Sequence, residues 1–188
     1  MPQSVMPLAF RKIDHKILWS KEPIDDEERK WLLEGELRAD ALVDIKTKGN
    51  RLSIYLVDEA AGITKERLVG ALAAKGEFVG KVDYVVFDLD ILNELHIDVD
   101  AIVGETPDQD VNTCHRDLMR LTARKLADIA NALYRRGEVK RLNDREVGRL
   151  INFGVRAGHI QRQRMLPTIL AKLQDAKYAP IVGHGSSG

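Results

Sequence analysis

The sequence predicts an α+β protein: a small ferredoxin-like sandwich of order β-α-β-β-α-β over residues 7–92, then a C-terminal helical region of three to four helices. Three observations lead there. Apolar and polar residues alternate on both sides of Lys48-Gly49-Asn50, a hairpin signature. Apolar residues at helical spacing run through 64–75 and stop at Gly76. From residue 112 onward the apolar positions recur every three or four residues.

Taken in order, PLAFRKIDHKILW (7–19) reads as a first strand. Asp25 and Glu28 have capping-box spacing and open a predicted helix, with Trp31, Leu33 and Leu37 as its buried stripe. Ala41, Val43 and Ile45, then Leu52, Ile54 and Leu56, alternate with polar residues and predict two strands joined by the Gly-Asn turn. Leu68, Ala71 and Leu72 predict the inner face of the next helix. KVDYVVFDLDIL is apolar enough for a strand buried on both faces.

Residues 93–111 form an acidic connector, marked as a loop by Gly104 and Pro107. In 112–178, Asn112 or Thr113 caps a long helix with Met119, Leu126, Ile129 and Leu133 inward and Gly137 as its stop. Asn143 and Glu146 repeat the capping-box spacing and open a helix with Val147, Leu150 and Ile151 inward. A further helix is predicted from Ala157, and Pro167 either kinks it or starts a last one. The end, 179–188, reads as a disordered tail.

A net charge of zero conceals two opposed halves. Residues 111–178 carry 15 Lys and Arg against 6 Asp and Glu, while 1–110 carry 14 against 23. Such asymmetry points to an acidic partner or to contact between the halves. Arg116, Arg120 and Arg124 fall at i, i+4, i+8, one stripe of a predicted helix. Arg135, Arg136 and Arg141 cluster after it, and Arg156, Arg162 and Arg164 make a third group. The planar fork of Arg suits phosphate and carboxylate, so the partner is expected to be nucleic acid or an acidic protein surface. The expected role is that of a non-enzymatic binding or regulatory protein. The structural alternative is a homodimer or domain interface in which acidic and basic regions pair.

Hydrophobic residues at 44% with 31% charged exclude wholesale disorder. No apolar run reaches the ~18 residues that span a bilayer, and MPQSVMPLAFRK lacks the plan of a signal peptide. One cysteine, Cys114, excludes an internal disulfide framework and a multi-cysteine zinc site. Together these predict a cytoplasmic protein without membrane contact. Cys114 and His115 are adjacent, so a helix would turn them to different faces rather than form a nucleophile–base pair. Phosphate loops, dinucleotide glycine fingerprints, zinc protease motifs and serine elbows are missing from the sequence, and no cofactor is expected.

One enzyme signal stands out. YVVFDLDIL (84–92) resembles the first motif of haloacid-dehalogenase-type phosphotransferases, an apolar strand ending in Asp-x-Asp. The resemblance implies Asp88 as nucleophile, Asp90 as acid/base and magnesium as cofactor. IVGETPDQD (102–110) is similar to the family's late Gly-Asp metal loop, with Glu105 at the Asp position. The chain departs from the family in having Ile91-Leu92 where Gly-Thr usually follows. It also leaves no room for a Rossmann-like domain between the two motifs. The enzyme alternative is therefore divalent-metal phosphoryl transfer or nuclease-like chemistry at Asp88 and Asp90.

Other short patterns are fragmentary. Strand alternation would put His96, Asp98 and Asp100 on one face, a donor set for a hard divalent cation. Asp108, Asp110 and Asn112 begin like a calcium loop, but Thr113 replaces its glycine. Asp44-Ile45-Lys46 has the Asp-x-Lys pattern of restriction-type nucleases without the second carboxylate that core needs. Residues 145–166 resemble a helix-turn-helix in which Arg162, Gln163 and Arg164 would face bases.

Overall fold

A computed structural model describes residues 7–178. The predicted tail 179–188 lies outside them. Six strands build one antiparallel sheet: β1 (Leu8–Ile13), β2 (Leu52–Val57), β3 (Val82–Asp88), β4 (Asp98–Ala101), β5 (His115–Met119) and β6 (Glu138–Leu142). Their spatial order is β4-β5-β2-β1-β3-β6, with every neighbouring pair antiparallel. The helices are α1 (Lys65–Ala74), α2 (Asp90–Glu94), α3 (Gln109–Thr113), α4 (Ala123–Arg136), α5 (Asp144–Arg156) and α6 (Pro167–Lys172). Among the described residues no helix is long and apolar enough to cross a membrane.

Helices cover both faces of the sheet, and the period-two alternation of the strands feeds each layer. Phe10, Tyr55, Val57, Tyr84 and Val86 point to one face, where they meet α1, α5 and α6. Ala9, Ile13, Ile54, Val85, Phe87 and Leu118 point to the other, against α4, α2 and the segment around Trp19 and Ile45. Residues 82–87 are all buried, because β3 lies between β1 and β6 and is covered on both sides. That two-sided burial is the physical reason for the apolar run from Tyr84 to Phe87, and the acid before it, Asp83, is paired with Arg141.

The mixed α+β class stands, but the order of elements differs from a ferredoxin-like sandwich followed by helices. Within 7–92 there are three strands, and the sheet continues through 93–111 and 112–178 with β4, β5 and β6. The predicted strand holding Ala41, Val43 and Ile45 is a 3-10 helix, Ala39–Asp44. Positions 41 and 45 fit both a strand face and a helix face, and they are buried either way, whereas Val43 is exposed. The Gly-Asn turn does form: Gly49 and Asn50 have φ of 61° and 58°, closed by hydrogen bonds between Lys48 and Arg51.

The predicted helix from Asp25 shrinks to one 3-10 turn, Glu28–Lys30. Its capping geometry is present, since the Glu28 amide donates to Asp25 Oδ1. The Glu28 carboxylate, however, is drawn to Arg38 instead of supporting a longer helix. Trp31 and Leu33, predicted to be inside, are 60% and 67% exposed.

The long helix predicted from residue 112 is divided into α3, β5 and α4. Leu118 faces inward on β5, and Thr122, not Asn112 or Thr113, caps α4 by accepting from the Lys125 amide. Ile129 and Leu133 are buried and Gly137 ends the helix, as the spacing predicts. Residues 138–142, predicted as a link, pair with β3 as β6. The Asn143–Glu146 capping box forms in full. No helix starts at Ala157: α5 ends, Gly158 turns with φ 78°, and Arg162–Arg164 make a single 3-10 turn. The helix-turn-helix therefore lacks its second helix. Pro167 takes the first turn of α6.

Candidate functional site

The site begins where the sheet comes apart. β1 pairs with β2 only from Leu8↔Val57 to Phe10↔Tyr55, while β1 runs on beside β3 to Ile13↔Asp83 and β2 runs on beside β5 to Leu52↔Leu118. Past Phe10 and Tyr55 the two strands splay, and carbonyls that a longer ladder would use are left over. Arg11 fills that opening. Its Nη1 donates to the Ser53 carbonyl at 2.7 Å and its Nη2 reaches the Asp44 carbonyl at 3.4 Å. Its Nε is buried and has no partner.

Arg11 also lacks a counter-charge: among the described residues no carboxylate lies within ion-pair distance of it. Asp44, whose carbonyl it reaches, has its carboxylate committed elsewhere. Its carboxylate accepts from Trp19 Nε1 at 2.9 Å, the His15 amide at 3.1 Å and His15 Nδ1 at 2.8 Å. Burial lowers the Arg11 pKa from its ordinary value, and the fields of Asp14, Tyr55 and Asp44 only partly oppose that. A guanidinium remains charged at such values, so the outcome is a desolvated cation rather than a neutral one.

Arg11 lines a hollow of about 610 Å³. Ser53 and Tyr55 of β2 and His115 of β5 form its floor, and Leu72 and Lys75 of α1 stand on one side. Residues 102–105 stand opposite, and Lys12, Lys46 and Lys48 complete the rim. Burial pushes the Tyr55 hydroxyl up to about 12; Arg11 opposes this, while Asp117 and Glu105 add to it. Tyr55 is therefore a hydrogen-bond donor at neutral pH.

The carboxylates and the histidine around the floor are already engaged. His115 Nδ1 lies 2.9 Å from the Ile102 carbonyl and its Nε2 3.5 Å from Asp117 Oδ1, which also accepts from Ser53 Oγ at 2.9 Å. The His115 ring sits 5.0 Å from the Tyr55 ring, tilted by 56°. Lys75 meets Glu105 at 3.2 Å and Lys12 meets Asp14 at 3.7 Å. Lys46 and Lys48 have no ion pair among the described residues. Donors are thus in excess on the floor and at one end of the rim.

Of the candidate residues singled out from the sequence, Asp44, Lys46 and Glu105 line this hollow, and the others lie elsewhere. Asp88 ends β3 and Asp90 opens α2, next to Arg136, whose guanidinium is held by Glu94. His96 occupies a left-handed turn before β4 with φ 52°, so strand alternation does not align it with Asp98 and Asp100. Asp98 pairs with Arg120 at 3.0 Å, and Asp100 stands opposite Asp117 on β5. Among the described residues no group of three or more His, Cys, Asp or Glu is arranged to hold a metal ion. Asp44 and Lys46, the nuclease-like pair, are not on a strand. Asp108 and Asp110 both bind Arg67.

The basic stripe is redistributed. Arg116 lies on β5 and donates to the Thr113 and His115 carbonyls, Arg120 sits in a turn with φ 53°, and Arg124 begins α4. Arg141 binds the Asp83 carboxylate through two bonds of 2.6 and 2.7 Å. Acidic and basic stretches therefore meet within one chain, through Arg120–Asp98, Arg136–Glu94 and Arg141–Asp83. Arg124, Arg135, Arg156, Arg162 and Arg164 have no ion pair among the described residues. The first two belong to α4 on one layer, and the last three follow or end α5 on the other.

Sequence reasoning missed Arg11 and Tyr55, and met Lys46, Lys48 and His115 only in a nuclease-like pattern, a turn and a rejected Cys-His pair. The signal for Arg11 was present in LAFRKI: it shares its strand face with Ala9 and Ile13, both buried. A charge on the inward face of a strand is the informative exception to apolar burial. Compared with known proteins, the chain matches no family model, no curated protein and no solved structure.

Proposed function

We propose that this is a binding protein for a small anionic ligand, received by the basin at the β1–β2 splay. The observation that carries the reading is Arg11: a largely buried guanidinium with no ion pair among the described residues, on the wall of a 610 Å³ hollow. Burying an unpaired charge is costly, and an anion bound in the hollow would offset it. The acidic partner expected from composition is, on this reading, a small molecule.

Titrating the protein with inorganic phosphate, sulfate and citrate at matched ionic strength tests this. A ligand at 100 times its Kd stabilises the folded state by about 2.7 kcal/mol, a shift that thermal unfolding resolves. Arg11→Gln removes that shift while sodium chloride leaves both proteins alike. A wild-type protein that no anion stabilises beyond the chloride control would refute the reading.

A second reading rests on a different observation. Arg156, Arg162 and Arg164 are exposed without ion pairs among the described residues, and Phe153, 63% exposed, lies on the same end of α5. This surface suits an acidic macromolecule, nucleic acid or protein, in the manner first expected for the whole basic region. Binding of a labelled DNA and RNA pool at two salt concentrations measures it. Tight binding that weakens steeply with salt, and that is lost on reversing the three Arg to Glu, supports it. Absence of binding at low salt removes nucleic acid as the partner.

A further inference from the structure

Resting on the small-anion reading, we infer that the ligand is an organic molecule with two separated anionic groups. One group sits on the floor against Arg11 and Tyr55, and the other sits at the rim against Lys46 and Lys48.

Three observations carry this. The first is size. Phosphate or sulfate displaces the volume of only a few waters, at roughly 30 Å³ each, whereas the basin holds about 610 Å³, in the range of metabolite sites. The second is where free donors remain. Arg11 and the Tyr55 hydroxyl, a donor at neutral pH, line the lower part of the hollow, and Arg11 has no ion pair among the described residues. Lys46 and Lys48 are exposed on the rim and carry no ion pair among the described residues. The third is that the carboxylates on the same walls are already used, Asp44 by His15 and Trp19, Glu105 by Lys75 and Asp14 by Lys12. The ligand is thus asked for acceptors at both depths and for donors at neither.

The backbone supports the rim seat. The turn that carries Lys48 is fixed by reciprocal bonds, Lys48 amide to Arg51 carbonyl at 3.1 Å and Arg51 amide to Lys48 carbonyl at 3.3 Å. Leu72 and Ile102 line the wall beside the two seats and suit the carbon frame of an organic ligand. A single inorganic oxyanion would satisfy one seat and leave the other to water.

Matched ligand pairs that differ only in the second anionic group provide the test. Calorimetric titration at fixed ionic strength compares glycerol 3-phosphate with 3-phosphoglycerate, and glucitol 6-phosphate with 6-phosphogluconate. In at least one pair the phospho-carboxylate is expected to bind tenfold or more tightly than its one-charge-site partner. The double variant Lys46→Gln/Lys48→Gln, altered only at exposed side chains, is expected to erase that preference. The partner, which uses the floor alone, should lose much less affinity than the phospho-carboxylate does. Equal affinities within both pairs would overturn the two-seat inference and leave a single-anion site standing. A preference that survives in the double variant would overturn the rim seat. If none of these ligands and no inorganic anion binds, the small-anion reading itself falls.

Discussion

Arg38 grips Glu28 with two hydrogen bonds, Nε to Oε1 at 2.5 Å and Nη2 to Oε2 at 2.7 Å, and both residues are buried. The same guanidinium donates to the carbonyls of Ser20 and Glu22 at 2.6 Å each. One side chain therefore closes the irregular stretch 20–38, which has no sheet ladder to satisfy its backbone. The Arg38 hydrogen bonds and the Ile24 amide hold the Glu28 carboxyl below its ordinary value against the effect of burial.

Arg38→Lys is expected to release this segment. An ammonium keeps the charge but not the planar fork that reaches three acceptors at once. Hydrogen exchange should rise across 20–37 and proteases should cut there, with β3 and α4 protected as before. Unchanged exchange in 20–37 would mean that the segment is held by its apolar contacts instead.

Asp83 gives a stability–pH signature. Burial works to raise its pKa, but hydrogen bonds from Arg141 and the Lys16 amide outweigh that and set it below the usual carboxylate range. A depressed folded pKa stabilises above the unfolded value, about 3.9, and that contribution is lost as pH falls through the folded value. Asp83→Asn is therefore less stable than wild type at pH 7, and the gap between their melting temperatures narrows below about pH 4. A gap independent of pH would assign the effect to packing rather than to the charge.

Gly148 is pressed against Tyr178. A Cβ there would lie 2.1 Å from Tyr178 Cδ1, and that ring is fully buried. Gly148→Ala is expected to destabilise by about 1–3 kcal/mol, the usual cost of overpacking, despite the better helix propensity of alanine. Asn152 Nδ2 ties the Leu173 and Tyr178 carbonyls to α5, so exchange should rise most in 167–178. Denaturant unfolding and exchange together check both statements.

Asn143 accepts from the Glu146 amide at 3.0 Å, and Glu146 returns a bond to the Asn143 amide at 2.7 Å. Asn143→Ala is expected to cost about 1 kcal/mol, read as a lower denaturation midpoint with unchanged slope. A near-neutral result would show that tertiary packing alone sets the start of α5.

Local chemistry is where the sequence was legible. Gly137 as a stop, Asn143 with Glu146 as a start, Pro167 at a first turn and Gly49-Asn50 in a left-handed turn all form. Each depends on neighbours a few residues away. Residues 41–45 failed because two apolar positions four apart satisfy either period, and the distant partners Trp19 and His15 chose the helix by binding Asp44. The 116–124 stripe failed because a spacing of four is also an even number, compatible with a strand, and β5 gains ladder partners on both sides. The basin was illegible for a related reason. It depends on where the β1–β2 ladder stops, and Arg11, Tyr55 and His115 come from three strands brought together only by that topology.

The splay between β1 and β2 sets stability and recognition against one another at a single position. An apolar side chain at Arg11 would free the Ser53 carbonyl for a further rung between the strands and remove a desolvated cation from the interior. Selection for thermal robustness alone would drift that way, zipping the seam and closing the hollow. On the small-anion reading, a stabilised descendant that had lost Arg11 would keep its sheet and its helices and meet an anion with its rim lysines alone.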